Sequence, residues 1–340
     1  MSEIAVIGAG AWGTGIAIVL GRKGTHRVRL WAHESDVCES ITQKRLNEKF
    51  LPGRRIPDSV TTSNDLAATL YGAQIVVSVM PSQHCRALFE RMRPLMPPQT
   101  LIVSATKGLE EGSLQRMTEV ITQVLKRDDG STPAVGALSG PSFAQEVARG
   151  DPTAITIASR DAALLRTVQQ EFSDSSFRIY TNSDVIGVEL GGALKNIVAI
   201  AAGICDGLGF GHNSVAALIT RGLAEMTRLV VACGGRAETM AGLAGLGDLV
   251  LTCTGGLSRN RSVGVELGRG RKLTDIIAGM HGMVAEGVFT TTAAVGLAHA
   301  RNVEMPITEQ MHAILHHGKS PREAIQELMA RSGKSEGGSS

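Results

Sequence analysis

A short apolar stretch that runs into a glycine-rich turn constrains the fold of this 340-residue chain more than any other feature. Residues 3–7 are mostly apolar, which suits a buried parallel strand, and residues 8–13 follow at once with the sequence GAGAWG. Between a strand and a helix, Gly8 allows the tight turn, Gly10 lets a pyrophosphate approach the backbone and Gly13 lets helix and strand pack closely. The amides at the helix start then bind the anion. The sequence therefore predicts a site for NAD or NADP.

The end of the second predicted strand, at residues 27–31, bears on which dinucleotide binds. An NAD-specific site is expected to carry an acidic residue there that bonds the ribose 2′-hydroxyl. In this chain the strand ends in Trp31 and is followed by Ala32, His33 and Glu34. Because no carboxylate stands at the last position of the strand, a 2′-phosphate has room. The choice between NAD and NADP stays open.

Strand-like runs alternate with helical segments through the first half of the chain. The apolar runs lie at 74–79, 100–104, 133–138, 153–158 and 178–181, and the helical segments lie near 82–93, 113–126 and 161–172. Such alternation implies a mostly parallel sheet with right-handed crossovers. The fold class that we predict is α/β, with a doubly wound, mostly parallel Rossmann-type sheet followed by an all-helical second domain.

Only helical spacing follows from about Ser183. We expect Asn213 to cap a helix that runs to Ala232, and Ser258 to cap another. Further helices are predicted within 290–300, from Pro306 to a stop at Gly318, and from a capping box at 320–323 to about residue 331. The predicted units are a dinucleotide-binding domain at 1–182, an all-helical substrate domain at 183–332, and a polar, glycine-rich tail at 333–340 that we expect to be disordered.

Three polar motifs stand where predicted strands end, at residues 80–82, 104–108 and 139–144. Each combines small hydroxyl residues with glycine or proline, which suits close approach of a ligand to the backbone. Ligands of doubly wound sheets bind beyond these strand ends. Lys107 is the fixed charge among the three motifs. It is either an ordinary exposed lysine or, beside a nucleotide site, a ligand contact.

An apolar segment at 186–207 carries one lysine, Lys195, in its middle. On a helix, Gly191 and Gly192 lie one turn before Lys195, so the amine stands on a face almost bare of side chains. Glycines in mid-helix cost about 1 kcal/mol each relative to alanine, so some gain must offset them. One interpretation is close helix packing with Lys195 reaching water. The other is that a flat ligand lies against this face and contacts Lys195.

Two polar clusters interrupt the helical half. Asp248 follows the apolar run 242–247, where it is either a helix N-cap or a site acid. Ser258, Arg259 and Asn260 stand at a predicted helix start. Helix amides together with a guanidinium suit a phosphate, although a solvated basic turn is the plainer alternative.

Composition excludes several classes of protein. A net charge of +2 gives no broad attraction for nucleic acid or anionic membranes. Five scattered cysteines without a CxxC pair argue against disulfides and a zinc site, and for a reducing compartment. The N-terminus lacks a signal-like pattern, and charged residues interrupt the apolar segments, so we expect no span of about 20 residues and no stable membrane insertion. We expect a cytoplasmic protein.

With these segments in view, the sequence resembles the NAD(P)-dependent glycerol-3-phosphate dehydrogenases of the soluble bacterial type. The resemblance covers nearly the whole chain. Its motifs are GAGAWGT (8–14), FLPG (50–53), SATKGLE (104–110), LSGPSFAQEV (138–147), VELGGALKNIVAIAAG (188–203), GLGDLVLTC (245–253), SRNR (258–261) and VAEGV (284–288). The glycine motif belongs to a whole superfamily, whereas LKN and SRN are typical of this family.

The resemblance implies a role for each matching position. Residues implied in dinucleotide contact are Ala11, Trp12, His33, Lys107, Ala144, Arg259, Val284 and Glu286. Residues implied in contact with a small phosphorylated three-carbon substrate are Lys107, Gly140, Ser142, Lys195, Asp248, Ser258, Arg259 and Asn260. Lys195 is implied as the proton acceptor, and we expect Lys107 to stabilise the carbonyl oxygen. The implied reaction interconverts sn-glycerol 3-phosphate and dihydroxyacetone phosphate by hydride transfer with NAD or NADP, and it supplies glycerol phosphate for phospholipid synthesis.

Two alternatives stay open at this point. A β-hydroxy acid dehydrogenase of the same architecture also has a lysine on the first helix of its helical domain, but with asparagine about four residues later. Here Asn196 follows Lys195 directly and Ala199 stands four residues on. A non-catalytic dinucleotide sensor would need the glycine motif but not the lysines, Asp248 and Arg259 together. A homodimer is possible, since the helical half is rich in small residues.

Overall fold

A computed structural model describes residues 2–280 and 282–333 of the chain. An eight-stranded sheet forms the first half, with strand order β10-β9-β8-β7-β6-β1-β2-β5, and β3 and β4 form a separate ribbon. The strands are β1 (Ser2–Ile7), β2 (His26–Trp31), β3 (Leu46–Asn47), β4 (Leu51–Arg55), β5 (Val60–Ser63), β6 (Ile75–Ser78), β7 (Leu101–Ser104), β8 (Val135–Ser139), β9 (Thr153–Ala158) and β10 (Phe177–Asn182). All neighbours in the large sheet are parallel except β8 and β9.

Helices flank the sheet and then continue alone. Those of the first half are α1 (Ala11–Arg22), α2 (Ser35–Lys44), α3 (Leu66–Leu70), α4 (Cys85–Met92), α5 (Met117–Val124), α6 (Ala144–Arg149) and α7 (Ala162–Phe172). Those of the second half are α8 (Val185–Gly207), α9 (His212–Ala232), α10 (Ala237–Met240), α11 (Asp248–Thr254), α12 (Arg259–Gly268), α13 (Leu273–Ala278), α14 (Glu286–Ala300), α15 (Pro306–His317) and α16 (Pro321–Met329). A single turn of wider π-helix, Leu243–Gly247, leads into α11.

The predicted α/β class with an all-helical second half is confirmed. The elements missed from the sequence are short or polar, namely α2, α3, α6, α10, α13 and the strands β3 to β5. One expected helix cap was wrong, and a second is right in its position only. The helix α9 begins before Asn213, with Gly211 at its N-cap, and the side chain of Ser320 makes no capping hydrogen bond to α16 although Pro321 occupies its first turn. Ser258 does cap α12, by accepting a hydrogen bond from the amide of Arg261.

Three large hydrophobic clusters stabilise the molecule. Two of them cover the two faces of the sheet, and the third lies among the helices of the second half around α8. Leu109, from the loop after β7, is fully buried in this helical cluster. The division into domains at residues 1–182 and 183–332 stays a prediction, and Leu109 is a residue of the first half that packs in the core of the second.

Within the part of the chain that the structure describes, one helix is apolar and long enough to cross a membrane, contrary to our expectation from the sequence. The 23-residue helix α8 meets that test, as does the bent pair formed by residues 237–254 and α12, but 89% of the most apolar stretch of α8 is buried inside the protein. Its apolar character therefore serves the core of the helical half. Most of the tail expected to be disordered, residues 334–340, lies outside the described residues.

Candidate active site

The glycine turn after β1 has the geometry that its sequence predicts. Gly8 has a φ of 118°, a backbone conformation that residues with a side chain rarely adopt. A Cβ atom at Gly13 would overlap the carbonyl oxygen of Gly8, whereas a Cβ at Gly10 would meet nothing within 4 Å. Thr14 donates the first helical hydrogen bond, to Gly10, so the amides of residues 11–13 have no helical acceptor. The turn thus combines open space with free amides, and a dinucleotide pyrophosphate fits it.

The residues implied in dinucleotide contact surround this turn. Ala11 and Trp12 form the first turn of α1, and the buried indole nitrogen of Trp12 has no hydrogen-bond partner among the described residues. Ala144 begins α6 and packs against α1 at Gly15. His33 is exposed just beyond β2, and its ring lies 5.8 Å from that of Trp31.

Two lysines and one aspartate meet where the sheet faces the helical half. The Lys195 amine lies 3.0 Å from Oδ1 of Asp248, and the Lys107 amine lies 2.6 Å from Oδ2. Lys195 also donates to the hydroxyl of Thr252 at 2.7 Å, and Lys107 to the carbonyl of Gly140 at 3.0 Å. Since an ammonium has three donors, each lysine keeps one N–H for a ligand.

Burial governs the acid–base properties of this cluster. Lys195 is only 6% exposed, and burial together with the nearby charge of Lys107 lowers its pKa to about 8, although Asp248 acts in the opposite direction. Burial alone would raise the pKa of the Asp248 carboxyl, but the two lysines outweigh that effect and hold the pKa below its usual value. Lys195 can therefore gain or lose a proton near neutral pH, while Asp248 stays ionised.

The bare face of α8 is covered by protein, so the idea that a flat ligand lies against both glycines was wrong. A Cβ at Gly191 would stand 2.7 Å from the carbonyl oxygen of Ala244, in the π-helical turn. A Cβ at Gly192 would overlap the hydroxyl of Ser139 and approach the aliphatic stem of Lys107. Close packing therefore explains both glycines, and it brings α8 near enough to the sheet for Lys195 and Lys107 to share Asp248.

The start of α12 carries the predicted phosphate cluster. The Ser258 side chain is buried as the N-cap, and the amides of Arg259 and Asn260 have no helical acceptor. Arg259 is exposed, and its guanidinium makes no hydrogen bond or ion pair with the part of the chain that the structure describes. Asn260 lies between two helices, donating to Asn196 at 2.9 Å and accepting from the amide of Gly287 at 3.0 Å.

The remaining implied residues lie at the boundary between the two halves. Glu286, at the start of α14, accepts hydrogen bonds from the amide of Ser82 at 3.0 Å and from its hydroxyl at 2.6 Å, just beyond the end of β6. Burial raises the pKa of the Glu286 carboxyl. Val284 is half-buried two residues earlier. The hydroxyl of Ser142 donates to the same Gly140 carbonyl that Lys107 contacts.

Two residues at the centre of the site received no role from the sequence. Thr252 lies one helical turn after Asp248 and donates to its carbonyl oxygen at 2.6 Å, while it accepts from Lys195. Asn196 orients Asn260 from α8. A spacing of four residues puts Asp248 and Thr252 on one helix face. That spacing was the sequence signal for the role of Thr252. Asp248 itself is no N-cap, because α11 has Gly247 in that position.

Comparisons with known proteins agree along the whole chain. Residues 3–165 match the family model described as NAD-dependent glycerol-3-phosphate dehydrogenase N-terminus, and residues 184–326 match the corresponding C-terminus model. A glycerol-3-phosphate dehydrogenase [NAD(P)+] of Koribacter versatilis is 68% identical over 97% of this chain and 98% of its own length. One from Acidobacterium capsulatum is 58% identical over 99% of this chain and all of that protein.

Solved structures show the same similarity. The crystal structure of glycerol-3-phosphate dehydrogenase from Coxiella burnetii has a TM-score of 0.92 and 43% sequence identity, and the match covers 97% of this chain and 99% of that one.

Proposed function

Because this chain belongs to the NAD-dependent glycerol-3-phosphate dehydrogenase family, we propose that it interconverts sn-glycerol 3-phosphate and dihydroxyacetone phosphate with NAD or NADP, using Lys195 as acid and base. The observation that carries the assignment of Lys195 is the buried cluster in which Asp248 joins it to Lys107. Family membership favours this reaction over that of a β-hydroxy acid dehydrogenase and over a sensor without turnover.

The dinucleotide supplies the hydride chemistry when it is bound. The glycine turn, with Ala11, Trp12, His33, Ala144, Val284 and Glu286 around it, would hold that cofactor. The free amides of residues 11–13 and the open space at Gly10 support this placement.

Lys195 would move one proton at the oxygen on C2 of the substrate. Alcohol oxidation needs a base there and ketone reduction needs an acid. A lysine with a pKa of about 8 serves both directions near neutrality better than one with the usual value of about 10.4. The free N–H of Lys107 would donate to the same oxygen and stabilise negative charge on it.

The N-terminus of α12 would bind the phosphate. Amides at a helix start attract anions, and the exposed guanidinium of Arg259 can form two parallel hydrogen bonds with phosphate oxygens. One hydrogen of the Asn260 amide remains for the same ligand. Gly140 and Ser142 would border the three-carbon substrate beside Lys107.

The Lys195→Ala variant tests this function. We expect the wild-type protein to oxidise NADH or NADPH when dihydroxyacetone phosphate is added, and not when 3-oxo acids are added. In the reverse direction, 3-hydroxy acids should not reduce NAD or NADP. Without its acid, the variant should lose about 10²–10⁴-fold in turnover while dinucleotide binding changes little. Absorbance at the reduced nicotinamide band and fluorescence titration measure the two effects. Turnover unchanged by the substitution would remove Lys195 from the mechanism.

Finer expectations accompany this function. We infer a cytoplasmic enzyme that supplies glycerol phosphate for phospholipid synthesis, in line with the burial of α8 inside the protein. Measuring the Kd of this protein for NADH and for NADPH shows which dinucleotide it prefers. Homodimerisation stays a prediction that light scattering on the full-length protein can test.

A further inference from the structure

Four glycines join the two helices that carry the reacting lysine and the phosphate cluster. Gly203 and Gly207 lie on α8, and Gly264 and Gly268 lie on α12, each pair at a spacing of four residues. A Cβ at Gly203 would overlap the carbonyl oxygen of Arg261, and one at Gly264 would overlap that of Ile200. All the opposing atoms nearest to these two positions are backbone atoms. A side chain there can be accommodated only if one helix moves as a whole.

The contact fixes the register between the helices as well as their separation. Gly264 lies against Ile200 and Gly268 against Ile204, with the same separation of 64 residues that the hydrogen-bonded pair Asn196 and Asn260 shows. The two helices therefore run in parallel. An ion pair of 2.6 Å between Arg261 of α12 and Asp206 of α8 adds a polar contact between the same two helices.

This register sets where the two ends of the substrate bind. Lys195 precedes Asn196 by one residue and Arg259 precedes Asn260 by one, so both stand at the same level along the helix pair. A slip of one turn would displace the phosphate cluster by about 5 Å relative to the lysine. In dihydroxyacetone phosphate only one carbon and one oxygen separate the reacting carbon from the phosphorus. The distance between Lys195 and the phosphate cluster therefore decides whether both ends of the substrate can bind at once.

We propose that the four-glycine contact between α8 and α12 is a positioning element that sets the distance between Lys195 and the anion-binding start of α12, and thereby selects substrates with a phosphate next to the reacting ketone. Gly203, Gly207, Gly264 and Gly268 are positioning residues and touch no ligand. The inference rests on the proposed function, because it assigns the two ends of the same site.

The test uses ligands that occupy one end or both. Dihydroxyacetone needs only the lysine end, inorganic phosphate needs only α12, and dihydroxyacetone phosphate needs both at the correct spacing. In Gly264→Ala and Gly203→Ala, we expect the KM for dihydroxyacetone phosphate to rise at least about tenfold, because small displacements of reacting groups are costly. The kcat/KM for dihydroxyacetone and the inhibition constant of inorganic phosphate should each change by less than about threefold.

A matched substitution and a milder one complete the experiment. Gly296→Ala places the same methyl group on α14, where its nearest neighbour, 3.0 Å away, is the end of the Leu114 side chain, and it should leave all three constants unchanged. Gly268→Ala, whose Cβ would stand 2.6 Å from the carbonyl oxygen of Ile204 at the end of α12, should show a smaller rise of the same kind. It provides the test if the other two variants do not fold.

Two results would overturn the positioning role. One is an unchanged KM for dihydroxyacetone phosphate in a folded variant, and the other is an equal loss with all three ligands, which a purely structural role predicts. Failure of the function itself is distinguishable, because then the wild-type protein would show no activity with dihydroxyacetone phosphate.

Discussion

A single carboxylate holds two ammonium groups at the centre of this molecule. Asp248 accepts from Lys195 and Lys107 on its two oxygens, and all three side chains are largely removed from water. Such a group retains one positive charge when both lysines are protonated, and none once Lys195 has lost its proton. The proton on Lys195 therefore decides the charge that meets an anionic substrate.

The pH dependence of the reaction should report this arrangement. Ketone reduction needs protonated Lys195, so its kcat/KM should fall as the pH rises through about 8. Removing the Asp248 charge takes away an interaction that raises the pKa of Lys195, so Asp248→Asn should move the midpoint to lower pH. Removing the Lys107 charge should move it to higher pH in Lys107→Met. Initial rates across the pH range measure both midpoints.

Both variants should also turn over more slowly than the wild-type protein, so the informative quantity is the direction in which each midpoint moves. Shifts of the same sign in the two variants would contradict the roles assigned to Asp248 and Lys107.

At this scale the sequence singled out Lys195, Lys107, Asp248 and Arg259, because a charge in an apolar or glycine-rich setting stands out. It could not show that one carboxylate bridges both lysines, since Lys107 and Asp248 are 141 residues apart. Nor could it show that the Asn260 amide donates a hydrogen bond to Asn196, because the spacing of residues in a sequence does not reveal which side chains pair across two helices.

The turn before α1 offers a test at the level of one element. Gly10→Ala adds a methyl group in open space, so the free energy of unfolding should change by no more than about 1 kcal/mol. Dinucleotide binding should weaken about tenfold or more, since that space would receive the pyrophosphate. Gly13→Ala should instead destabilise the protein by about 3 kcal/mol, because its methyl group would overlap the Gly8 carbonyl.

Urea unfolding and fluorescence titration with NADH separate the two effects. Equal losses of stability in both variants would refute the distinct roles of Gly10 and Gly13.

Elements with long apolar runs were predictable, and short polar ones were not. The strand β9 has the predicted bounds because each of its residues is apolar or β-branched. The strand β5 has the sequence VTTS, in which only one residue is apolar, and its pairing with β2 depends on neighbours outside the strand. The antiparallel pairing of β8 with β9 is likewise a property of the assembled sheet.

The two halves of the molecule are joined by core residues as well as by polar contacts. Leu109 follows the Lys107 loop yet is fully buried among the helices. Leu109→Ala should therefore lower the free energy of unfolding by about 2–5 kcal/mol and should also reduce turnover, because the loop that carries Lys107 loses its anchor. Urea unfolding combined with kcat measures both changes.

Leu95→Ala is the matched control, since Leu95 is 38% exposed, and it should cost about 0.5 kcal/mol at most. A Leu109→Ala protein that is destabilised but has the kcat of the wild type would show that the anchor does not position Lys107.

The burial of α8 has a consequence for how the chain is made. Its apolar surface is covered by α9, α12 and α14, and the last of these ends at Ala300. At ordinary synthesis rates, the stretch between the end of α8 and the end of α14 takes about 5–20 s to emerge. During that time a helix with the length and apolarity of a membrane span lacks part of its cover. Nascent chains that stop before α14 should therefore engage chaperones or aggregate, whereas completed chains hide the same surface.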